Sequence, residues 1–90
     1  MYKISFSHKY EKTAKKFFKK HQNLKEKYAK TLLLLQQNPY HPSLRLHKLQ
    51  GNLSVYHSIS IDMDYQIIID FIIINDEIIL IDIGSHDEVY

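Results

Sequence analysis

The apolar positions of this chain change period along its length, and the changes mark out its elements. Residues 2–6 (YKISF) alternate and predict a short strand. Ser7 or Ser5 then offers a hydroxyl oxygen to cap a helix over residues 8–20. Within it Tyr10, Ala14, Phe17, Phe18 and His21 recur at three- and four-residue spacing, which places them on one stripe. Lys9, Lys12, Lys15, Lys16, Lys19 and Lys20 fall largely off the stripe and cover the outer face. A break at Gln22 and Asn23 precedes a second helix over residues 24–38, with Leu24, Tyr28, Thr31, Leu32 and Leu35 as its stripe. Two amphipathic helices joined by a short turn form a hairpin that cannot bury both stripes by itself.

The period then shortens to two. NPYHPSLRLHKLQGN holds both prolines and one of the two glycines, so it reads as the loop that leaves the helices. From Leu53 to Ile61 the residues alternate, with Val55, His57, Ile59 and Ile61 on one side and Tyr56, Ser58 and Ser60 on the other. Asp62, Met63 and Asp64 supply a turn. YQIIIDFIII is β-branched enough for a central strand covered on both faces. Asn75 and Asp76 turn the chain into IILIDI, a last strand ending at Gly84. The expected fold is α+β in the order β-α-α-β-β-β. An N-terminal helical hairpin packs on one face of a small, twisted, mainly antiparallel four-stranded sheet, and residues 1–90 form a single domain.

Ninety residues support one core and exclude a multidomain enzyme, because a chain of this size buries only about 60–65% of its unfolded surface. The absence of cysteine leaves no disulfide framework and fits a reducing cytosol. The N-terminus lacks the apolar core of a signal peptide. The most apolar stretch, Tyr65 to Ile74, is about half the ~20 residues of a membrane span and contains Asp70. The expected location is therefore the cytoplasm, away from any membrane. Charge is divided unevenly: all 12 Lys and Arg lie at or before Lys48 against two acids, Glu11 and Glu26, while residues 51–90 hold every other acid and no cation. Such a split reads either as a surface for nucleic acid or an acidic partner, or as two halves that neutralise each other in the fold.

Two strings carry the candidate chemistry. One is H-x-L-x-G (His47, Leu49, Gly51) before the first strand of the meander, and the other is GSHDEVY (Gly84 to Tyr90) after the last. At these places in a β-α-α-β-β-β chain they resemble the RelE/ParE superfamily of toxins from bacterial type II toxin–antitoxin modules, and within it the YafQ-like branch. The resemblance spans essentially the whole chain. It implies an mRNA interferase, a small endoribonuclease that cuts mRNA in the ribosomal A site and is silenced by a cognate antitoxin. The toxin–antitoxin complex would bind operator DNA through the antitoxin.

Cleavage by attack of a ribose 2′-OH on the adjacent phosphorus needs a base for that hydroxyl, an acid for the departing 5′-oxygen and positive charge at the phosphorane. It requires neither metal nor cofactor. Histidine suits both proton transfers, with an ordinary pKa of about 6.5. Carried over by motif position, His86 matches the catalytic histidine of the C-terminal string, His47 the histidine before Leu-x-Gly, and Asp64 a turn carboxylate. Tyr90 matches a terminal aromatic that stacks on a base. Arg45 and Lys48 flank His47 and are the candidates for phosphate contact.

Each of these residues also has a plainer reading. His86 could sit solvated before an acidic tail, His47 could bond loop carbonyls, Asp64 belongs in a turn on its own account, and Tyr90 could pack on the sheet. His57 shares the side of Val55 and Ile59, as a partly buried core histidine would. His8, His21 and His41 read as structural or solvated, and no HxH or HExxH spacing suggests a metal site. The lysine face of the first helix reads as a contact for ribosomal RNA or as a solubilising coat.

The chain departs from the family pattern in the sheet. Ser60 stands where YafQ-like toxins carry a further histidine, and Gln66 where many members carry an arginine. Besides the interferase, two alternatives are a ParE-like inhibitor of DNA gyrase, a branch that lacks the histidine set, and a toxin-fold protein that binds without cutting.

Overall fold

The computed structural model describes residues 1–72 and 75–89. Strand β1 (Lys3–Phe6) leads into helix α1 (His8–Lys20), and a 3-10 turn at Gln22–Leu24 joins it to α2 (Lys25–Gln37). A long loop with 3-10 turns at Pro42–Leu44 and Gly51–Leu53 carries the two-residue strand β2 (His47–Lys48). Strands β3 (His57–Ser60), β4 (Tyr65–Ile72) and β5 (Glu77–Ser85) form a meander, and a single turn of helix, α3 (His86–Val89), follows.

Among the described residues the five strands make one sheet in the order β1-β5-β4-β3-β2. β1 runs parallel to β5 and every other pair is antiparallel. The expected α+β architecture is therefore present with one correction: the sheet has five strands, since His47 and Lys48 add a short edge to β3. Proline-rich loop composition concealed that edge, because two residues carry no period of their own.

Ser7 caps α1, its Oγ accepting from the Tyr10 amide at 3.0 Å. The helix stripes meet the sheet as their spacing requires. Tyr10, Phe17, Leu24 and Leu35 join Ile59, Ile67, Ile69, Ile78, Leu80 and Ile83 in one core cluster. Each such side chain contributes roughly 1.5–3 kcal/mol on leaving water. Inside the helical hairpin the hydroxyls of Tyr10 and Tyr28 pair at 2.8 Å, so the fully buried Tyr10 keeps a partner.

The strand expected from Leu53 begins only at His57. Gly51, at φ +68, turns the backbone into a 3-10 turn that runs to Leu53, and Val55 stays 69% exposed. Alternation from His57 onward holds: Ile59 faces the helices and Ser58 the opposite side. The β4–β5 ladder breaks register between Ile68 and Ile69, where Ile68 pairs with Asp82 but Ile69 with Leu80. The extra residue, Ile81, is a bulge that switches the buried parity of β5 from Ile78 and Leu80 to Ile83. Without it the core would receive Asp82 and lose Ile83. Among the described residues no helix is long and apolar enough to cross a membrane.

Candidate active site

The sheet face away from the helices collects the polar residues of the meander. Ser58 and Ser60 on β3 stand opposite Ile68 and Gln66 on β4, and Gln66 stands opposite Gly84 on β5. His86 follows one residue after Ser85, the partner of Tyr65, so it lies at the level of Asp64. The result is a cleft of about 130 Å³ lined by Ser60, Asp62, Met63, Asp64, Tyr65, Gln66 and His86.

Hydrogen bonds fix its parts. Asp62 Oδ1 accepts from the amides of Asp64 and Tyr65, both at 2.9 Å, which makes an Asx turn and presents Asp64 at the rim. The Asp64 side chain is exposed. Ser58, wholly buried, donates Oγ–H to Gln66 Oε1 at 2.7 Å. That leaves the Gln66 amide nitrogen toward His86 Nδ1, at 3.4 Å. An N–H donor at Nδ1 assigns the proton of the neutral imidazole to Nε2.

His47 reaches the same face from the sheet edge, since its register partner is Ser58 and opposed residues of an antiparallel pair share a face. Its Nδ1 lies 2.9 Å from the Arg45 carbonyl, which can only accept. His47 therefore carries its proton on Nδ1 and leaves Nε2 as a proton acceptor.

The remaining candidates lie around this core. Lys48 is in register with His57, so alternation turns it to the other face from His47, although both border a hollow of about 440 Å³ along β2 and the following loop. Arg45, exposed, lies across the β3–β4 turn from His86, in a depression that also includes Lys27. Tyr90 falls outside the described residues. His57 packs edge-on against Phe71 with ring centroids 5.8 Å apart, and its Nδ1 is buried with no hydrogen-bond partner among the described residues. Burial holds its imidazole below the ordinary histidine range, with the charges of Lys48 and His47 adding to the effect and Asp70 opposing it. Alternation puts His57 on the expected side and partly buried, but not as a satisfied core histidine, because its Nδ1 lacks a hydrogen-bond partner among the described residues.

Sequence reasoning noticed Gln66 only as a missing arginine. Its ordering role depends on Ser58, eight residues earlier, and only strand register brings the two together. Lys27 was missed entirely, because on α2 it is one lysine among many. Among the described residues no cluster of three or more His, Cys, Asp or Glu could hold a metal ion. A separate groove of about 510 Å³ on α1 is lined by Lys16, Lys19, Lys20, His21, Thr13, Phe17 and Ile83. His21 links it to the start of β4 through its ring contact with Tyr65, centroids 4.7 Å apart.

Residues 2–90 match the family model described as the bacterial toxin of type II toxin–antitoxin system, YafQ. No functionally curated protein matches the chain in sequence. Among solved structures, a metal-bound toxin from Helicobacter pylori aligns over 100% of both chains at 26% identity and TM-score 0.77. YafQ from E. coli strain BL21(DE3) aligns over 100% of this chain and 99% of its own at 22% identity, TM-score 0.74. In the E. coli DinJ-YafQ toxin–antitoxin complex the matched chain is 25% identical over 99% of this chain and 97% of its own, with TM-score 0.72.

Proposed function

From the premise that this chain belongs to the YafQ family of bacterial toxins from type II toxin–antitoxin systems, we propose that it is a ribosome-dependent mRNA endonuclease in which His47 and His86 carry the proton transfers. The observation that supports this reading is that His47 and His86 reach the same face of the sheet, where His47 Nδ1 bonds the Arg45 carbonyl and leaves Nε2 to accept a proton. His47 Nε2 takes the proton of the ribose 2′-OH as the oxygen bonds to phosphorus. His86, as the imidazolium, gives a proton to the departing 5′-oxygen as the P–O bond breaks and is left neutral. The products are a 2′,3′-cyclic phosphate and a 5′-hydroxyl, and the balance closes without a metal or cofactor.

Asp64, at the rim beside His86, is placed to accept from the sugar hydroxyl and to favour the His86 imidazolium that serves as the acid. Tyr90 stacks on a base in this reading, and Arg45 and Lys48 supply cationic charge for the backbone. The lysine groove of α1 fits a sequence-independent contact with ribosomal RNA. The protein works in the cytoplasm as a single domain over residues 1–90, neutralised by a cognate antitoxin through which the complex reaches operator DNA.

Induced expression is expected to arrest growth and cut translated mRNA. His86→Ala and His47→Ala are expected to fold yet lose roughly 10²–10⁴-fold in cleavage rate, the usual worth of an acid or base. His86→Ala protein as toxic as wild type would overturn the assignment. Intact mRNA together with loss of gyrase supercoiling and DNA breaks would point to a gyrase poison, and intact mRNA with antitoxin binding alone to a non-cutting toxin.

A further inference from the structure

The catalytic face holds no Lys or Arg on β3, β4 or β5, so a phosphate in the cleft needs its cation from another part of the fold. The β3–β4 turn separates two hollows. On one side is the His86 cleft, and on the other a depression of about 170 Å³ lined by Lys27, Ser43 and Arg45. Both hollows include Ser60, Asp62 and Met63, so an extended polymer can pass over the turn from one to the other.

The two cations come from different elements. Lys27 lies in the first turn of α2, and Arg45 ends the 3-10 turn at Pro42–Leu44. Arg45 adopts the left-handed conformation, φ 50 and ψ 43, which is uncommon for a residue with a side chain and clusters at functional sites. The same residue supplies the carbonyl that orients His47, so the catalytic base and the cation are set by one backbone bend. Among the described residues neither Lys27 nor Arg45 forms an ion pair, whereas Lys30 on the same helix pairs with Glu26 at 3.5 Å. Asp62 is the one acid in the depression, and its Oδ1 is occupied by two turn amides. Ser43 Oγ is engaged with His41 Nδ1 at 2.9 Å, which leaves recognition to the cations.

We propose that Lys27 and Arg45 form a phosphate subsite that holds the RNA backbone one step from the scissile linkage, replacing the cation that β3, β4 and β5 lack. This rests on the reading of the chain as an RNA-cutting toxin. Its volume suits a single phosphate group.

The test uses the full chain carrying His86→Ala, so that bound RNA is not cut. Titration with inorganic phosphate, followed by amide NMR, should give saturable shifts at Ser43, Arg45 and residues 60–63 that disappear in Lys27→Gln. For a short single-stranded RNA, Lys27→Gln and Arg45→Gln should each weaken binding about fivefold to tenfold and lower the slope of log affinity against log salt by about 0.7, the value for one single-strand phosphate contact. Lys30→Gln is the control for generic charge loss. Equal effects of Lys27→Gln and Lys30→Gln, with no phosphate shifts near Arg45, would overturn the subsite even if the wild-type protein cleaves mRNA. Phosphate shifts at the depression in a protein that never cuts RNA would support the subsite and reject the nuclease reading. Loss of antitoxin binding in Lys27→Gln with unchanged RNA affinity would assign the pair to an acidic peptide and overturn the proposal.

Discussion

Ser58 sets the direction of the Gln66 amide: its hydroxyl donates to Oε1 at 2.7 Å, and the amide nitrogen is thereby turned to His86 at 3.4 Å. A wholly buried serine on β3 is thus linked through Gln66 to a histidine after β5. Gln66 bridges Ser58 and His86, and the worth of that bridge can be measured apart from the fold.

Gln66→Leu removes the amide and is expected to lower kcat for mRNA cleavage on programmed ribosomes by about tenfold to a hundredfold, the scale found when outer-shell partners of a site histidine are lost. Gln66→Glu places a carboxylate against Nδ1 and favours the imidazolium. The alkaline limb of the pH–rate profile should then move to higher pH, because the acid form of His86 persists longer. A profile that superimposes on wild type in both variants would reduce Gln66 to a packing role.

His57 makes stability depend on pH. Its imidazole titrates below the ordinary 6.5 in the folded chain, held down first by burial and then by Lys48 and His47. Above pH 6.5 both folded and unfolded forms are neutral and its contribution is fully present. As pH falls below 6.5 the unfolded chain takes up a proton that the folded chain resists, so stability is lost through that window. Denaturant midpoints at pH 7.5 and 5.5 should therefore differ more for wild type than for His57→Phe. Equal losses in the two proteins would show that other groups control the acid response.

The Tyr10–Tyr28 hydroxyl pair is asymmetric. Burial pushes both phenols up, and the hydrogen bond raises Tyr10 further while lowering Tyr28, as fits Tyr10 donating. Tyr28→Phe strands the hydroxyl of Tyr10, which is 1% exposed, and should cost about 1–3 kcal/mol. Tyr10→Phe leaves the half-buried Tyr28 within reach of water and should cost only about 0.5–1.5 kcal/mol. Urea unfolding of the two single variants and the double variant gives the coupling, and an additive double variant would show that the pair does not act as a unit.

Much of this arrangement was legible locally. The stripes Tyr10–Phe17 and Leu24–Leu35 found the core because a helix repeats every 3.6 residues whatever surrounds it. The motif strings located His47 and His86, and the turn residues located Asp64. What failed was local in another sense. Leu53 to Tyr56 alternates like a strand, yet Gly51 takes a positive φ and a 3-10 turn forms, so pairing starts at His57. Two residues of β2 gave no periodic signal, and they become a strand only because β3 offers them an edge.

Composition and period determined by themselves the helices and the three meander strands in outline, and the family resemblance of the motif strings marked His47 and His86 as candidates. They do so because these properties depend on residues close in sequence. The tertiary structure decided which residues meet. Register placed Gln66 against Ser58 and Ser60, the bulge at Ile81 put Ile83 in the core and Asp82 outside it, and the left-handed bend at Arg45 joined His47 to a cation. Those outcomes depend on pairings between segments distant in the chain, which no period records, and they set the hydrogen-bond partners and the charge on which the proposed chemistry rests.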